Sequence, residues 1–173
     1  MTEPSQSGVD WIFVYEEYMP RIYKFFRYRV RDTILAQDLT ATTFEKAWRM
    51  RRTYREDRSR VYTWLLTIAR NTATDHFRLS RTEDALSDDK PESAANRPVE
   101  DHVLQDDNLT RLSVLMEDLT PRERDLIALK YGAGLTNRAI AELVGMSESN
   151  VGTTLSRIVQ LLRARWDVLI YER

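Results

Sequence analysis

Apolar residues recur at helical spacing along most of this chain, and no run alternates with the two-residue period of a strand. A first helix is expected from Asp10 onward, carrying Trp11, Ile12, Val14, Tyr15, Tyr18, Ile22, Tyr23, Phe26 and Val30. Pro20 lies inside this pattern and predicts a break or kink near Met19. Lys24, Arg27, Arg29 and Arg31 make the far end basic. A second helix should run from Thr33 to Arg51, capped by Asp32, with Ile34, Leu35, Leu39, Phe44, Ala47 and Trp48 apolar. Its exposed face reads as rich in threonine: Thr40, Thr42 and Thr43. Residues 50–60 (MRRTYREDRSR) read as a basic surface loop. In residues 61–78, Val61, Trp64, Leu65, Ile68 and Thr72 form an inward face, leaving Arg70, Asn71, Thr74 and Arg78 on or near the other side.

Beyond a gap the pattern resumes, with a helix expected over Leu104–Met116. Thr120, Pro121 and Glu123 spell a capping box with proline at the first helical position. Leu126, Ile127, Leu129 and Tyr131 should face the last two helices, and Gly132 and Gly134 should end this one. Thr136 is an N-cap, Ala139, Ile140, Leu143 and Val144 make a stripe, and Gly145 sits where a helix end favours a left-handed residue. Ser147 caps a second helix with the stripe Val151, Leu155, Ile158 and Leu162. The opposite face carries Ser149, Thr153, Ser156, Arg157 and Gln160, which are small or hydrogen-bonding. A short turn, a capped second helix with that face, and Arg163 and Arg165 beyond it are the parts of a helix-turn-helix, whose second helix can offer donors and acceptors to base edges.

Composition narrows the class. The chain has 173 residues and is 42% hydrophobic, enough for one or two small cores. It has no cysteine, hence no disulfide framework and no thiolate metal site. No stretch approaches the ~20 apolar residues of a membrane span, and the N-terminus lacks a secretory pattern. The expectation is a cytoplasmic, all-α protein. The net charge of −1 hides a segregation. Residues 1–82 hold 15 Lys/Arg against 10 Asp/Glu, residues 83–119 hold 3 against 11, and residues 120–173 hold 8 against 6. Two basic blocks flank an acidic connector, which nucleic acid would repel.

The succession TFEKAW, a basic loop, YTWLLTIARNTATDHFR, an acidic linker, LTPRERDLIALKYGAGLT and a helix-turn-helix resembles a bacterial sigma factor of the extracytoplasmic-function (ECF) class. The resemblance covers residues 11–81 and 108–165. It implies two small helical domains joined by an acidic flexible linker. Residues 1–9 would be a disordered N-terminus, 10–81 a region 2-like domain, 82–107 the linker, and 108–173 a region 4-like helix-turn-helix domain.

The resemblance also implies roles. The first domain would bind core RNA polymerase, at its beta-prime subunit, through Asp38, Leu39, Thr42, Thr43, Phe44, Ala47 and Trp48. The family pattern there is close to DAEDLxQETFxxAW, and this chain reads LAQDLTATTFEKAW, so Leu35, Gln37 and Thr42 stand where an acid is usual. A phosphate on Thr42, or on Thr40 or Thr43, would add nearly two negative charges and make docking conditional on a Ser/Thr kinase. Contacts to the opened −10 element would come from Arg55, Arg58, Arg60, Trp64, Arg70, Asn71 and Arg78, with the Asn71 amide able to read a Watson–Crick edge. Trp64, in an apolar stripe, reads as core more readily than as a base-stacking platform. Contacts to the −35 element would come from Ser149, Asn150, Thr153, Ser156 and Arg157. Gly152 and Thr154 stand where many relatives are basic, which predicts a weak −35 grip with a shallow salt dependence. Promoter DNA and an anti-sigma factor would be further partners.

The competing readings are a stand-alone helix-turn-helix regulator with an N-terminal partner-binding domain, and a helical enzyme. His76 and His102 are far apart in sequence and lack a partnering constellation, and neither a phosphate loop nor a metal-ligand motif occurs. No catalytic residue, metal or cofactor is therefore expected.

Overall fold

A computed structural model of the chain describes residues 9–30, 32–86, 111–112 and 114–171, and every described element is helical. Helix α1 spans Trp11–Arg29. It starts where Asp10 accepts hydrogen bonds from the amides of Ile12 and Phe13, at 3.0 and 3.2 Å. Contrary to expectation, α1 runs unbroken through Pro20. The proline deprives only the Glu16 carbonyl of a donor, and both residues are exposed, so water can satisfy it. The basic far end is also not a surface patch: Arg27 and Arg29 are buried.

Helix α2, Thr33–Met50, is capped by Asp32 as expected, through the amides of Ile34 (2.7 Å) and Leu35 (3.0 Å). Its buried stripe is Ala36, Leu39, Thr40, Thr43 and Ala47. Thr40 and Thr43 therefore do not belong to the exposed face. Each hydroxyl donates to the carbonyl one turn back, Ala36 and Leu39, both at 2.7 Å. That bond satisfies the only polar atom of the side chain and lets it behave as a buried β-branched residue.

A 3₁₀ turn, Arg51–Thr53, leads into a loop pinned by buried Tyr54, whose hydroxyl donates to the Ser59 carbonyl at 2.9 Å. Helix α3 spans Val61–Leu86 and continues past Arg78 into the first residues assigned to the linker. The rest of that linker, most of the N-terminal segment, His102 and the start of the helix expected at Leu104 lie outside the described residues.

Residues 111, 112, 114 and 115 are helical, and α4, Pro121–Ile127, follows. Both arms of its capping box form: the Glu123 amide donates to Thr120 Oγ1 (3.3 Å) and the Thr120 amide to Glu123 Oε2 (3.0 Å). The helix widens into a π turn, Ala128–Gly132, and closes with Gly134 at φ +73°. Leu126, Ile127 and Leu129 are buried as expected. Tyr131 is not; the wide turn slips the helical phase and leaves it 44% exposed.

Helix α5, Asn137–Val144, is capped by Thr136 and ends at Gly145, φ +70°. Helix α6, Glu148–Tyr171, is capped by Ser147, and Val151, Leu155, Ile158 and Leu162 are all buried.

The two halves of the chain share one core. Buried residues of α1–α3 and of the last three helices form a single hydrophobic cluster. The π turn lies against α1 so closely that a Cβ on Gly132 would stand 2.8 Å from Phe25 Cα and 2.9 Å from the Lys24 carbonyl oxygen. Next to it the Tyr62 hydroxyl donates to the Ala133 carbonyl at 2.6 Å, Tyr18 stacks on Tyr62, and the Arg21 guanidinium lies 4.2 Å from the Tyr62 ring centre. Burial pushes the Tyr62 phenol up to about 12, with Arg21 partly opposing.

Candidate nucleic-acid interface

Helix α6 presents Ser149, Asn150, Thr153, Ser156, Arg157 and Gln160 to solvent along one face. The hydroxyl of Thr153 is engaged with the Ser149 carbonyl, and that of Thr154 with Asn150 Oδ1. Arg157 donates to Glu123 Oε1 at 2.7 Å, so it ties α6 to the start of α4 in this state. The Glu123 carboxyl is held below the usual carboxylate range, first by the Thr120 amide, then by the Thr120 hydroxyl and by Arg157. Gly152 leaves room for a side chain: a Cβ there would make ordinary contact with Asn137 Nδ2 at 3.4 Å, at the crossing of α5 and α6. Arg163 is exposed, but Arg165 turns inward to Asp118 (2.9 Å) and the Leu115 carbonyl (3.2 Å). Lys130 borders the same end of α6, lining a cleft with Tyr131, Ser156 and Arg163. No sequence motif singles out Lys130.

On α3, Thr67, Asn71, Thr74 and Arg78 are exposed, and their four-three-four spacing sets them on one face. Arg78 lies 3.6 Å from Asp75 on the surface. His76 is half-buried and edge-on to Phe77. Arg70 points away from that face. Its Nε donates to Asp125 Oδ2 at 2.7 Å and its Nη1 to the Leu143 carbonyl at 3.0 Å, both in the other half. Trp64 is half-buried in an aromatic cluster, 5.8 Å from Trp11 and 5.2 Å from buried Tyr54. In the preceding loop Arg58 and Arg60 are exposed, while Arg55 is chelated by Asp57 at 3.1 and 2.9 Å.

On α2, Ile34, Asp38, Thr42, Glu45 and Trp48 follow one solvent-facing strip, with Thr42 half-buried and Trp48 55% exposed. The Arg51 guanidinium lies 3.9 Å over the Trp48 ring. Leu39, Thr43 and Ala47 are buried beneath the strip, and Phe44 is half-buried against Tyr15. An exposed tryptophan held under an arginine, on a helix that also carries acids, is suited to anchoring a partner protein.

Two family models match the chain: Sigma-70 region 2 over residues 14–82 and Sigma-70 region 4 over residues 109–162. The chain is 30% identical over 154 residues to the ECF RNA polymerase sigma factor SigM of Bacillus subtilis, covering 89% of this chain and 93% of SigM. It is 30% identical over 166 residues to the ECF sigma factor BldN of Streptomyces coelicolor, covering 94% of this chain but only 63% of BldN. In fold it is similar to the sigma factor RpoE of Bartonella quintana, solved with the anti-sigma factor NepR, at a TM-score of 0.74 over 92% of this chain and 98% of that one, with 24% identity. It is also similar to CnrH, solved with the cytosolic domain of CnrY, at a TM-score of 0.66 over 91% and 88%, with 19% identity. The chain belongs to the ECF class of RNA polymerase sigma factors. No helix among the described residues is long and apolar enough to cross a membrane.

Proposed function

We propose that this chain is a promoter-specificity subunit. It binds core RNA polymerase through the α2 strip, reads the −35 element with the exposed face of α6, and engages the opened −10 strand with the loop before α3 and the Asn71 face. The two functional units are the first three helices (residues 10–81) and the helix-turn-helix domain (residues 108–173), with the acidic segment between them. The observation that carries this reading is the second helix of the helix-turn-helix, α6, where Ser149, Asn150, Thr153, Ser156, Arg157 and Gln160 are exposed while the stripe Val151, Leu155, Ile158 and Leu162 is buried. Such a face is free for base edges.

The reading requires the halves to separate. Elements named −10 and −35 are 25 base pairs apart, about 85 Å at 3.4 Å per base pair. A folded body of this length is only about 40 Å across. The closed packing described above is then the resting arrangement, and polymerase docking supplies the free energy to open it. RpoE of Bartonella quintana is solved with the anti-sigma factor NepR, and an anti-sigma factor is proposed here as a partner that keeps the chain closed.

Docking on α2 is proposed to depend on a Ser/Thr kinase. Thr42 is the acceptor that the geometry favours, because it lies on the strip beside Asp38 and Glu45. Thr40 and Thr43 are buried with their hydroxyls bonded. A phosphate at Thr42 would supply the charge missing from this surface.

The deciding experiment is run-off transcription with purified core polymerase on a genomic promoter library, with wild-type and Thr42→Glu protein. Specific transcripts with either protein support the sigma reading. Transcripts only with Thr42→Glu support the phosphate switch. Their absence with both, together with tight binding of duplex by the chain alone, would favour a stand-alone regulator.

A further inference from the structure

Between the halves lies a cleft of about 300 Å³, lined by Arg29 of α1, Arg70 and Thr74 of α3, and Pro121, Arg122 and Asp125 at the start of α4. Its charge does not balance. Among the described lining residues Asp125 is the one carboxylate, and both its oxygens are committed, to Arg70 at 2.7 Å and to Arg29 at 3.6 Å. Arg29 has only 8% of its side chain exposed, and its Nε has no hydrogen-bond partner. Burial lowers the Arg29 guanidinium; Asp125 works against that, and Arg124 and Arg70 lower it further. Arg122 is exposed at the rim, and no hydrogen bond or ion pair engages it among the described residues. Three arginines thus face a space that holds one carboxylate. Arg29 sits buried at the base, beside Asp125 and 5.2 Å from the Phe77 ring centre, while Arg122 is exposed at the rim, and a cleft lined by one sign of charge favours an anion.

We propose that this cleft is a binding site for a phosphate-class oxyanion, seated between Arg29, Arg70 and Arg122 and touching both halves of the chain. Planar guanidinium groups present paired donors that match tetrahedral oxyanions. The cleft has room for a phosphoryl group and part of what it is attached to. Because Arg29 and Arg70 belong to one half and Arg122 to the other, an anion held by all three binds the closed arrangement and not an open one. Ligand binding therefore stabilises closure in proportion to its concentration over its Kd. This inference rests on the cleft alone and does not depend on the promoter reading.

The test is calorimetric titration of the purified full chain with inorganic phosphate, pyrophosphate and a nucleoside 5′-diphosphate, with chloride at matched ionic strength as control. One saturable site is expected for phosphate, absent with chloride, with the thermal midpoint rising as phosphate is added. Arg122→Ala, an exposed change outside the core, should weaken binding about tenfold, the loss of a charge-assisted hydrogen bond, and move the phosphate-dependent rise to about tenfold higher concentration. Tighter binding of the nucleoside diphosphate than of pyrophosphate assigns the site to a nucleotide, and equal binding assigns it to free phosphates. Overturning results are the absence of saturable heat with all three anions, binding by Arg122→Ala equal to wild type, or a chloride effect as large as that of phosphate.

Discussion

Arg70 Nε donates to Asp125 Oδ2 at 2.7 Å, joining the third helix to the fourth across the boundary between the halves. Asp125 is also the counter-charge of buried Arg29. The two substitutions at this bond should therefore differ in cost. Asp125→Ala leaves Arg29 buried and uncompensated and should cost about 3 kcal/mol. Arg70→Ala leaves Asp125 with Arg29 and should cost about 1 kcal/mol. Urea unfolding of both variants checks the order, and equal costs would show that Arg29 finds its compensation elsewhere.

Gly132 is tightly placed against backbone, and Gly152 is not. A Cβ on Gly132 meets backbone on α1 at 2.8 Å, which cannot move alone. Gly132→Ala should destabilise by about 2 kcal/mol and loosen the halves. A Cβ on Gly152 meets only the Asn137 side-chain amide at 3.4 Å. There the gain in helix propensity, up to about 1 kcal/mol, should outweigh the contact, so Gly152→Ala is expected to be neutral or stabilising. Thermal midpoints of the two variants, with small-angle scattering for Gly132→Ala, decide both statements.

Alkaline pH should open the interface at Tyr62. Its folded pKa of about 12 lies above the ordinary value of 10.0, because burial disfavours the phenolate. The stabilisation is complete below pH 10 and is lost as pH rises through about 12. Tyr62→Phe should lose about 1 kcal/mol at neutral pH, from the hydrogen bond to Ala133, but should flatten the alkaline decline. An equally steep decline in Tyr62→Phe would assign it to other groups.

Glu123 carries the opposite sign. Its depressed carboxyl contributes stability that is present above the ordinary glutamate range and is lost as pH falls through the lower folded value. Glu123→Gln should reduce that acid sensitivity and release Arg157 from its 2.7 Å tie. The Arg157 side-chain resonances by NMR, followed against pH, check the release.

Thr42 and Thr43 are neighbours with opposite tolerance. Glutamate at Thr43 would place a charge at a side chain with no exposed surface and should unfold α2 or abolish expression. Glutamate at half-buried Thr42 should leave the thermal midpoint within about 1 kcal/mol of wild type. Circular dichroism melts distinguish them before any transcription assay.

The helix-turn-helix was legible in detail because its signals are local. Thr136, Gly145 and Ser147 form the caps and turn that their types predict, and the Val151–Leu162 stripe is buried as spaced. The capping box at Thr120 is of the same kind. What tertiary packing decides was not legible. Arg29 reads as surface charge until Asp125 lies beside it. Arg70 reads as a nucleic-acid contact, and the closed packing turns it toward Leu143 and Asp125. Threonines at 40 and 43 read as polar surface because a hydroxyl's bond to the carbonyl one turn back leaves no mark in the sequence.

The shared core has a consequence for how the chain behaves when cut. Leu126, Ile127 and Ala133 are covered partly by the first three helices, in the same cluster as Ile22, Phe25 and Leu66. A protease nick anywhere between residues 87 and 110 should leave two fragments that stay together through gel filtration. Expressed separately, each fragment should be aggregation-prone, and mixing the two should restore a soluble pair. Each half is in this sense the other's solubilising partner.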